Sequence, residues 1–186
     1  LHELTVKCVK SEIEAHSEKV GSGEHKEAVK SLTALWRQAS NRLRKDERLI
    51  IAYASNLIRF GATRDALKVI ERALANNWND RLVCFYGEKD FKENPHQLAI
   101  AERWLKTVEN SSALFLTLAR ISLRNERMEK AKNYYELSIA SAPSAEAYLE
   151  LSLLSARLGD DKASLEKLKL YFKIIAVGKL DLPLLS

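Results

Sequence analysis

Small residues recur along this chain at nearly constant separations, and a large apolar residue follows each of them four positions later. A spacing of four brings two side chains onto the same face of a helix. Small side chains let neighbouring helices approach closely, and the larger residue fills the space toward the next helix. The pattern therefore predicts stacked helical units rather than one bundle around a shared centre. The small residues are Ala28, Ala66, Ala101, Ala131 and Ser164, and the large ones are Leu32, Ile70, Leu105, Tyr135 and Leu168.

The remaining apolar residues follow the period of amphipathic helices, as Ile50, Tyr53 and Leu57 do. Glycine and proline number only 6 and 3 in 186 residues, which argues against a turn-rich β fold. The small residues are 38, 35, 30 and 33 positions apart. A period of about 34 built from two antiparallel helices is typical of tetratricopeptide repeats. We therefore expect an all-α fold, a tetratricopeptide-like right-handed superhelix of about five antiparallel helix pairs.

The predicted pairs divide the chain into consecutive segments. Residues 1–44 form a degenerate N-terminal pair that acts as a cap, because the motif is missing from its first helix. Glu88 and Lys89 stand where small residues belong, so we expect the pair that contains them to be distorted. Residues 177–186 follow the last helix as a C-terminal tail. The tetratricopeptide-like pairs lie within residues 45–176 and span about 45–78, 80–110, 112–143 and 144–176.

Charge and motif content argue against several classes of function. The chain has 30 basic and 25 acidic residues, but the two signs alternate, so we expect no nucleic-acid partner. No apolar run approaches the roughly 18 residues that cross a bilayer. No G-x-S-x-G or G-x-G-x-x-G signature is present. The two cysteines and four histidines lack the spacing of a metal or haem-attachment site. We expect a protein that is not an enzyme and holds no metal.

Arginines occupy an equivalent position in several first helices of the pairs. Position 13 is Arg59, Arg124 and Arg157, and Arg120 lies one turn before Arg124. First helices line the inner groove of a tetratricopeptide stack, so we expect the four guanidinium groups to form a ladder that binds carboxylates. An acidic peptide, a chain-terminal carboxylate or the propionates of a porphyrin would fit. The alternative is that these arginines interact with the helix dipole and stay solvated.

Five stretches carry a signature more specific than that of a generic repeat. They are LWRQASNRLRKDERLIIAYASNLIRFG (35–61), ANNWNDRLVCFYGE (75–88), QLAIAERWLK (97–106), LFLTLARISLRNERMEKAKNYYELSI (114–139) and PSAEAYLELSLLSARLGD (143–160). Together they resemble the C-terminal tetratricopeptide region of the proteobacterial HemY family. The AERWL motif and the LRN motif followed after five residues by AK are the more specific matches. The segment Glu126-Arg127-Met128 differs, since the family favours an aromatic residue and a glycine there.

The resemblance implies a bacterial protein of the inner membrane that is associated with late haem (protohaem) biosynthesis, and not the flavin-dependent protoporphyrinogen oxidase that shares the name. Family members carry two N-terminal transmembrane helices, so we expect the membrane anchor to lie outside this sequence and the domain to lie on the cytoplasmic face. The expected function is a non-catalytic scaffold for protein partners, with haem-biosynthesis enzymes as the implied partners. Two alternatives stay open. One is a porphyrin or haem carrier, and the other is a general peptide-binding adaptor unrelated to haem.

Overall fold

A computed structural model describes residues 10–11 and 25–179 of the chain. This described part contains nine longer α-helices and one short 3-10 helix, and no β-strand, so the prediction of an all-α fold is confirmed. Residues 1–9 and 12–24 of the predicted cap and residues 180–186 of the predicted tail lie outside the described residues. The helices are α1 (His25–Gln38), the 3-10 helix (Leu43–Lys45), α2 (Glu47–Arg59), α3 (Thr63–Asn76), α4 (Asp80–Glu88), α5 (Asn94–Trp104), α6 (Ser112–Arg124), α7 (Met128–Ser141), α8 (Ala145–Arg157) and α9 (Asp161–Lys179).

Four alternate helices, α2, α4, α6 and α8, each begin at a side chain that caps them. Oxygens of Asp46, Asn79, Ser111 and Ser144 accept hydrogen bonds from backbone N–H groups two or three residues later, at 3.0, 3.0, 3.1 and 3.2 Å. Each cap satisfies an N–H group that has no partner within the helix, and it contributes about 1 kcal/mol. By contrast, α3 and α7 begin without a side-chain cap. Their starting points are set by the turns that precede them.

The turns that join α2 to α3, α6 to α7 and α8 to α9 share one backbone path. Each places one residue in the left-handed region, with φ of +81° at Gly61, +60° at Glu126 and +80° at Gly159. In each turn the N–H of the next residue binds the carbonyl five residues earlier, at 2.8, 2.9 and 2.9 Å. This is a Schellman closure, in which glycine is the favoured residue. Only at Glu126, among the three, does an L-residue hold a conformation that costs about 1–2 kcal/mol.

The chain forms two compact units, Leu1–Glu93 and Asn94–Ser186. The boundary falls between α4 and α5, inside the segment 80–110 for which the sequence predicts a single distorted helix pair. In the first unit, Ala66 and Ile70 of α3 and Tyr53 of α2 are buried. The ring of Tyr53 stacks on that of Trp36 in α1, with centroids 4.4 Å apart and an interplanar angle of 5°. Small and large residues therefore pack in this unit as their spacing predicts.

The core of the second unit joins α6, α7 and α8. Ala131 and Tyr135 of α7 are buried in a cluster that also contains Leu116, Ala119, Ala147, Leu151 and Leu154. Ser164 and Leu168 hold the same register positions in α9, but they are only half-buried. Among the described helices, none covers the outer face of α9. No helix in the described ranges is both long enough and apolar enough to cross a membrane.

Candidate functional site

The four arginines predicted to bind a ligand lie at or near helix C-termini. Arg59, Arg124 and Arg157 are the last residues of α2, α6 and α8, and Arg120 lies one turn before the end of α6. Arg59 belongs to the first unit, and the other three belong to the second. That the four form one ladder stays a prediction.

Two of these arginines combine a role at the helix end with solvent exposure. Arg59 and Arg157 are exposed, whereas Arg124 is half-buried. The guanidinium carbon of Arg59 lies 6.0 Å from the ring centroid of Phe60, which is within cation–π distance. A positive charge in the last turn of a helix is stabilised by the carbonyl end of the helix dipole. Arg59 and Arg157 therefore combine a favourable position at the helix end with exposure to solvent.

Arg120 differs because carboxylates of the same chain bind its guanidinium group. Its Nε donates to Oε1 and Oε2 of Glu150 at 3.1 and 2.9 Å, and its Nη2 donates to Oε1 of Glu150 at 2.6 Å. Nη2 also donates to Oε2 of Glu146 at 2.9 Å. The Arg120 side chain is 11% exposed, against 27% for Glu150 and 65% for Glu146. The ion pair therefore fixes α6 against α8, with Glu150 as its main partner.

Glu150 also accepts a hydrogen bond from the hydroxyl of Tyr135 in α7, at 2.9 Å. One carboxylate thus connects three helices. Burial first, then the charge and hydrogen bond of Glu150, raise the pKa of the Tyr135 phenol above its ordinary value. Burial alone would lower the pKa of Arg120, but the hydrogen bonds and charges of Glu150, and then of Glu146, raise it. Both groups therefore keep their protons at neutral pH and can donate to Glu150.

The sequence interpretation missed Glu150 as a partner of Arg120. A signal was present, because the two residues are 30 positions apart, close to one repeat length. An external carboxylate would have to displace Glu150 from Arg120. This partner within the chain counts against Arg120 as part of the predicted carboxylate-binding surface. Other ion pairs at similar separations are Arg64–Glu93, Glu47–Arg81 and Glu102–Lys130.

The histidines and acidic residues within 10–11 and 25–179 form no group of three or more, with or without cysteine, that could hold a metal ion. The His25 ring lies 5.7 Å from the ring of Phe60, and His96 is exposed. His2, His16 and Cys8 lie outside the described residues.

The helix pairs, their small-and-large register and their common turn define a tetratricopeptide-like helical-repeat protein. Solved structures of MamA have a similar fold. The chain of MamA from residue 41 to its end, from Desulfovibrio magneticus RS-1, matches with a TM-score of 0.57 and 15% identity, over 94% of this chain and 97% of that one. An ArsTM double mutant of MamA from RS-1 gives 0.57 and 14%, over 95% and 97%. A further crystal structure of MamA gives 0.55 and 14%, over 96% and 98%.

At such low identity, the likeness to MamA shows the fold alone. It confirms the tetratricopeptide-like fold class. No protein-family model matches the chain, and no curated protein matches its sequence. The resemblance to the HemY family is unconfirmed and stays a prediction, as does the link to haem biosynthesis.

Proposed function

We propose that this chain is a non-catalytic scaffold that binds other proteins through the surfaces of its helical repeats. Six large apolar side chains of the described residues are more than a third exposed, and all six lie between residues 137 and 172 in the second unit. Large apolar side chains that stay exposed and are concentrated in one part of a chain favour a partner-binding surface there. This grouping is the observation that carries the proposal. The six are Leu137, Leu153, Leu158, Leu165, Leu170 and Phe172.

The exposed arginines add a preference for acidic partners. Arg59 and Arg157 end two helices of the repeat and are accessible. A guanidinium group binds a carboxylate with two parallel hydrogen bonds, which gives direction as well as attraction. The net charge of +5 acts in the same sense over longer distances.

Affinity capture with matched variants tests the scaffold function. The purified chain is immobilised and exposed to detergent-solubilised bacterial membranes. One variant carries Arg59→Ala and Arg157→Ala. The control variant carries Arg72→Ala and Arg103→Ala, which replaces one exposed arginine in each unit on other helices. We expect specific proteins to be retained by the wild type and the control and to be depleted by the first variant. Retention of no protein above that of empty beads would contradict the proposal.

We further propose that the scaffold acts in late haem biosynthesis. This rests on the stretches between residues 35 and 160 that resemble the HemY family. On this proposal, helices outside this sequence anchor it at the cytoplasmic face of the bacterial inner membrane, where it recruits haem-biosynthesis enzymes. Deletion of the gene should change the levels of late porphyrin intermediates, measured by extraction and fluorescence. Unchanged levels would instead favour a general peptide-binding adaptor.

The alternative of a porphyrin or haem carrier requires arginines that can receive propionates. Arg120 is bound to Glu150, which counts against it as such a ligand and favours the scaffold. Titration of the purified chain with protoporphyrin and with haem, followed by the Soret band and tryptophan fluorescence, distinguishes the two functions. We expect no saturable response in the sub-micromolar range. A saturable response that Arg124→Ala abolishes would reverse the choice.

A further inference from the structure

We propose that the outer face of α9, with the adjoining edge of α8, is a docking surface for a partner protein. The partner would bind through an amphipathic helix that carries an apolar strip flanked by carboxylates. We call this surface the end face, and it comprises Leu153, Leu165 and Phe172 with Lys162, Lys169 and Lys173. The inference rests on the proposed scaffold function and adds the surface and the chemistry of the partner.

The apolar part of the end face occupies register positions that are buried elsewhere in the chain. Leu165 and Phe172 correspond to Leu67 and Leu74 of α3. Leu67 and Leu74 are buried, whereas Leu165 and Phe172 are 54% and 55% exposed. In α7 the position of Phe172 is held by Ile139, which packs against a core cluster that includes residues of α8. Leu67, Leu74 and Ile139 at these positions are buried or packed against a core, whereas Leu165 and Phe172 are exposed within the described part of the chain.

Leu153 is a further exposed apolar residue, and it lies in α8, the helix that pairs with α9. It holds the register position of Arg120, which in α6 is bound by the carboxylates of α8. Leu153 is 62% exposed. Its pair, α8 and α9, packs together as α6 and α7 do. The exposed apolar residues therefore lie on both helices of this packed pair. In an internal pair of a helical-repeat protein, both helices likewise contribute to the surface against which the next pair packs.

The charges beside this surface select an acidic partner. Lys162, Lys169 and Lys173 are separated by seven and four residues, so they follow one line along α9 next to Leu165 and Phe172. All three lysines are exposed, and with the exposed Glu166 that lies between them the line keeps a net positive charge. A partner helix with carboxylates along one edge would pair with this line while it buries its apolar strip. Within the chain, α8 already binds in this way, because it brings two carboxylates to Arg120.

Two other occupants of the end face are disfavoured, a second copy of the chain by its charge and a lipid surface by the register of the apolar residues. The first longer helix that the structure describes, α1, has three basic residues and one acidic residue, so that of a second copy would be repelled; these are Lys26, Lys30, Arg37 and Glu27. An anionic lipid surface would also attract a lysine-flanked apolar strip. The equivalence of the strip to positions that pack against helices favours a helix instead.

Fluorescence anisotropy with a defined probe tests the inference on the full chain. The probe is a labelled peptide with the sequence of residues 144–157, which contains α8 and its two acidic residues, Glu146 and Glu150. A matched peptide has both replaced by lysine. We expect the acidic peptide to bind at least tenfold more tightly than the basic one, and Phe172→Asp to weaken its binding at least tenfold. Ala140→Asp, a control at an exposed alanine of α7 that belongs neither to the end face nor to the six exposed large side chains, should leave the affinity unchanged. Circular dichroism checks that both variants are folded.

Several outcomes would overturn the inference. They are no binding of the acidic peptide at millimolar concentration, equal binding of both peptides, or equal loss of binding in both variants. Binding to phosphatidylglycerol vesicles alone, if Phe172→Asp abolishes it, would assign the end face to a lipid surface. A dimer in sedimentation experiments that Phe172→Asp dissociates would assign it to a second copy. Peptide binding only after removal of residues 180–186 would assign it to the chain's own end. In the capture experiment, a Phe172→Asp bait that retains every partner would refute this inference while the scaffold function stands.

Discussion

Glu150 and Glu146 bind the same nitrogen of Arg120, yet they should differ several-fold in what they contribute to stability. The Glu150 side chain is 27% exposed and receives three hydrogen bonds from an arginine that is 11% exposed. Removal of one partner of a buried pair costs about 3–5 kcal/mol. Because Glu150 retains some contact with water, we take the lower end and expect Glu150→Ala to cost about 3 kcal/mol.

Glu146 makes a single hydrogen bond and is 65% exposed, so solvent screens its attraction to Arg120. We expect Glu146→Ala to cost about 0.5 kcal/mol, as for a surface ion pair. The pair of variants is a matched test, since both remove a carboxylate of α8 from the same guanidinium group. Tyr135→Phe should cost about 1.5 kcal/mol, because it removes a hydrogen bond to a charged acceptor.

Urea unfolding followed by circular dichroism measures these costs. Urea is preferable to guanidinium chloride because salt screens ion pairs. Hydrogen exchange of the α8 amides reports whether the loss is local to the second unit. Equal costs for Glu146→Ala and Glu150→Ala, or costs of both below about 0.5 kcal/mol, would refute the view that burial of this pair fixes α6 against α8.

Three further predictions concern the turns and the ionisable groups. Glu126→Gly should stabilise the chain by about 1 kcal/mol, Glu126→Ala should change its stability little, and Gly159→Ala should cost about 1 kcal/mol. The reason is that the left-handed φ at these positions, and not the charge of the side chain, determines the strain energy. Equal effects of Gly and Ala at position 126 in the same urea assay would contradict this. The folded pKa of Tyr135 is raised above its ordinary 10.0, so stability should fall as pH rises above that value, where only the unfolded phenol ionises. Urea midpoints across alkaline pH should fall less steeply in Tyr135→Phe. The hydrogen bond from Arg48 lowers the pKa of the Asp46 carboxyl below its ordinary value of 3.8. The contribution of Asp46 to folding stability is therefore fully present above pH 3.8 and is lost as the pH falls through the lowered pKa. Asp46→Asn keeps an oxygen that caps the helix and should cost about 0.5 kcal/mol at neutral pH. It should also make stability fall less steeply at acidic pH. An unchanged fall in stability at acidic pH would exclude Asp46 as its source.

The fold could be predicted because the small-and-large register reports directly on helix packing. Ala66, Ile70, Ala131 and Tyr135, which the register places at helix contacts, are all buried. Such a pattern can be recognised in a single sequence, because the repeat places the residues that pack together at fixed separations along the chain. The division at residue 93 was not predicted, although Glu88 and Lys89 indicated a weak pair at this point.

The candidate site could be predicted only in part. The helical period placed Arg59, Arg124 and Arg157 at helix ends, where the structure has them. The partner of Arg120 could not be obtained in this way. An ion pair between two stacked helices depends on the side-chain rotamers and on the offset between the pairs, and neither is written in local periodicity. Whether any of the three helix-end arginines binds a ligand stays a prediction.

The common path of the turns at Gly61, Glu126 and Gly159 makes the joint inside a pair independent of which pair it belongs to. What distinguishes one pair from the next lies instead in the contacts between pairs, such as that of Glu150 with Arg120. An ancestral array could therefore gain or lose a whole helical hairpin without rebuilding any joint. A hairpin gained or lost at an end of the array would change which surface is exposed there, so the ends of the array are where relatives with the same architecture can diverge in their choice of partner.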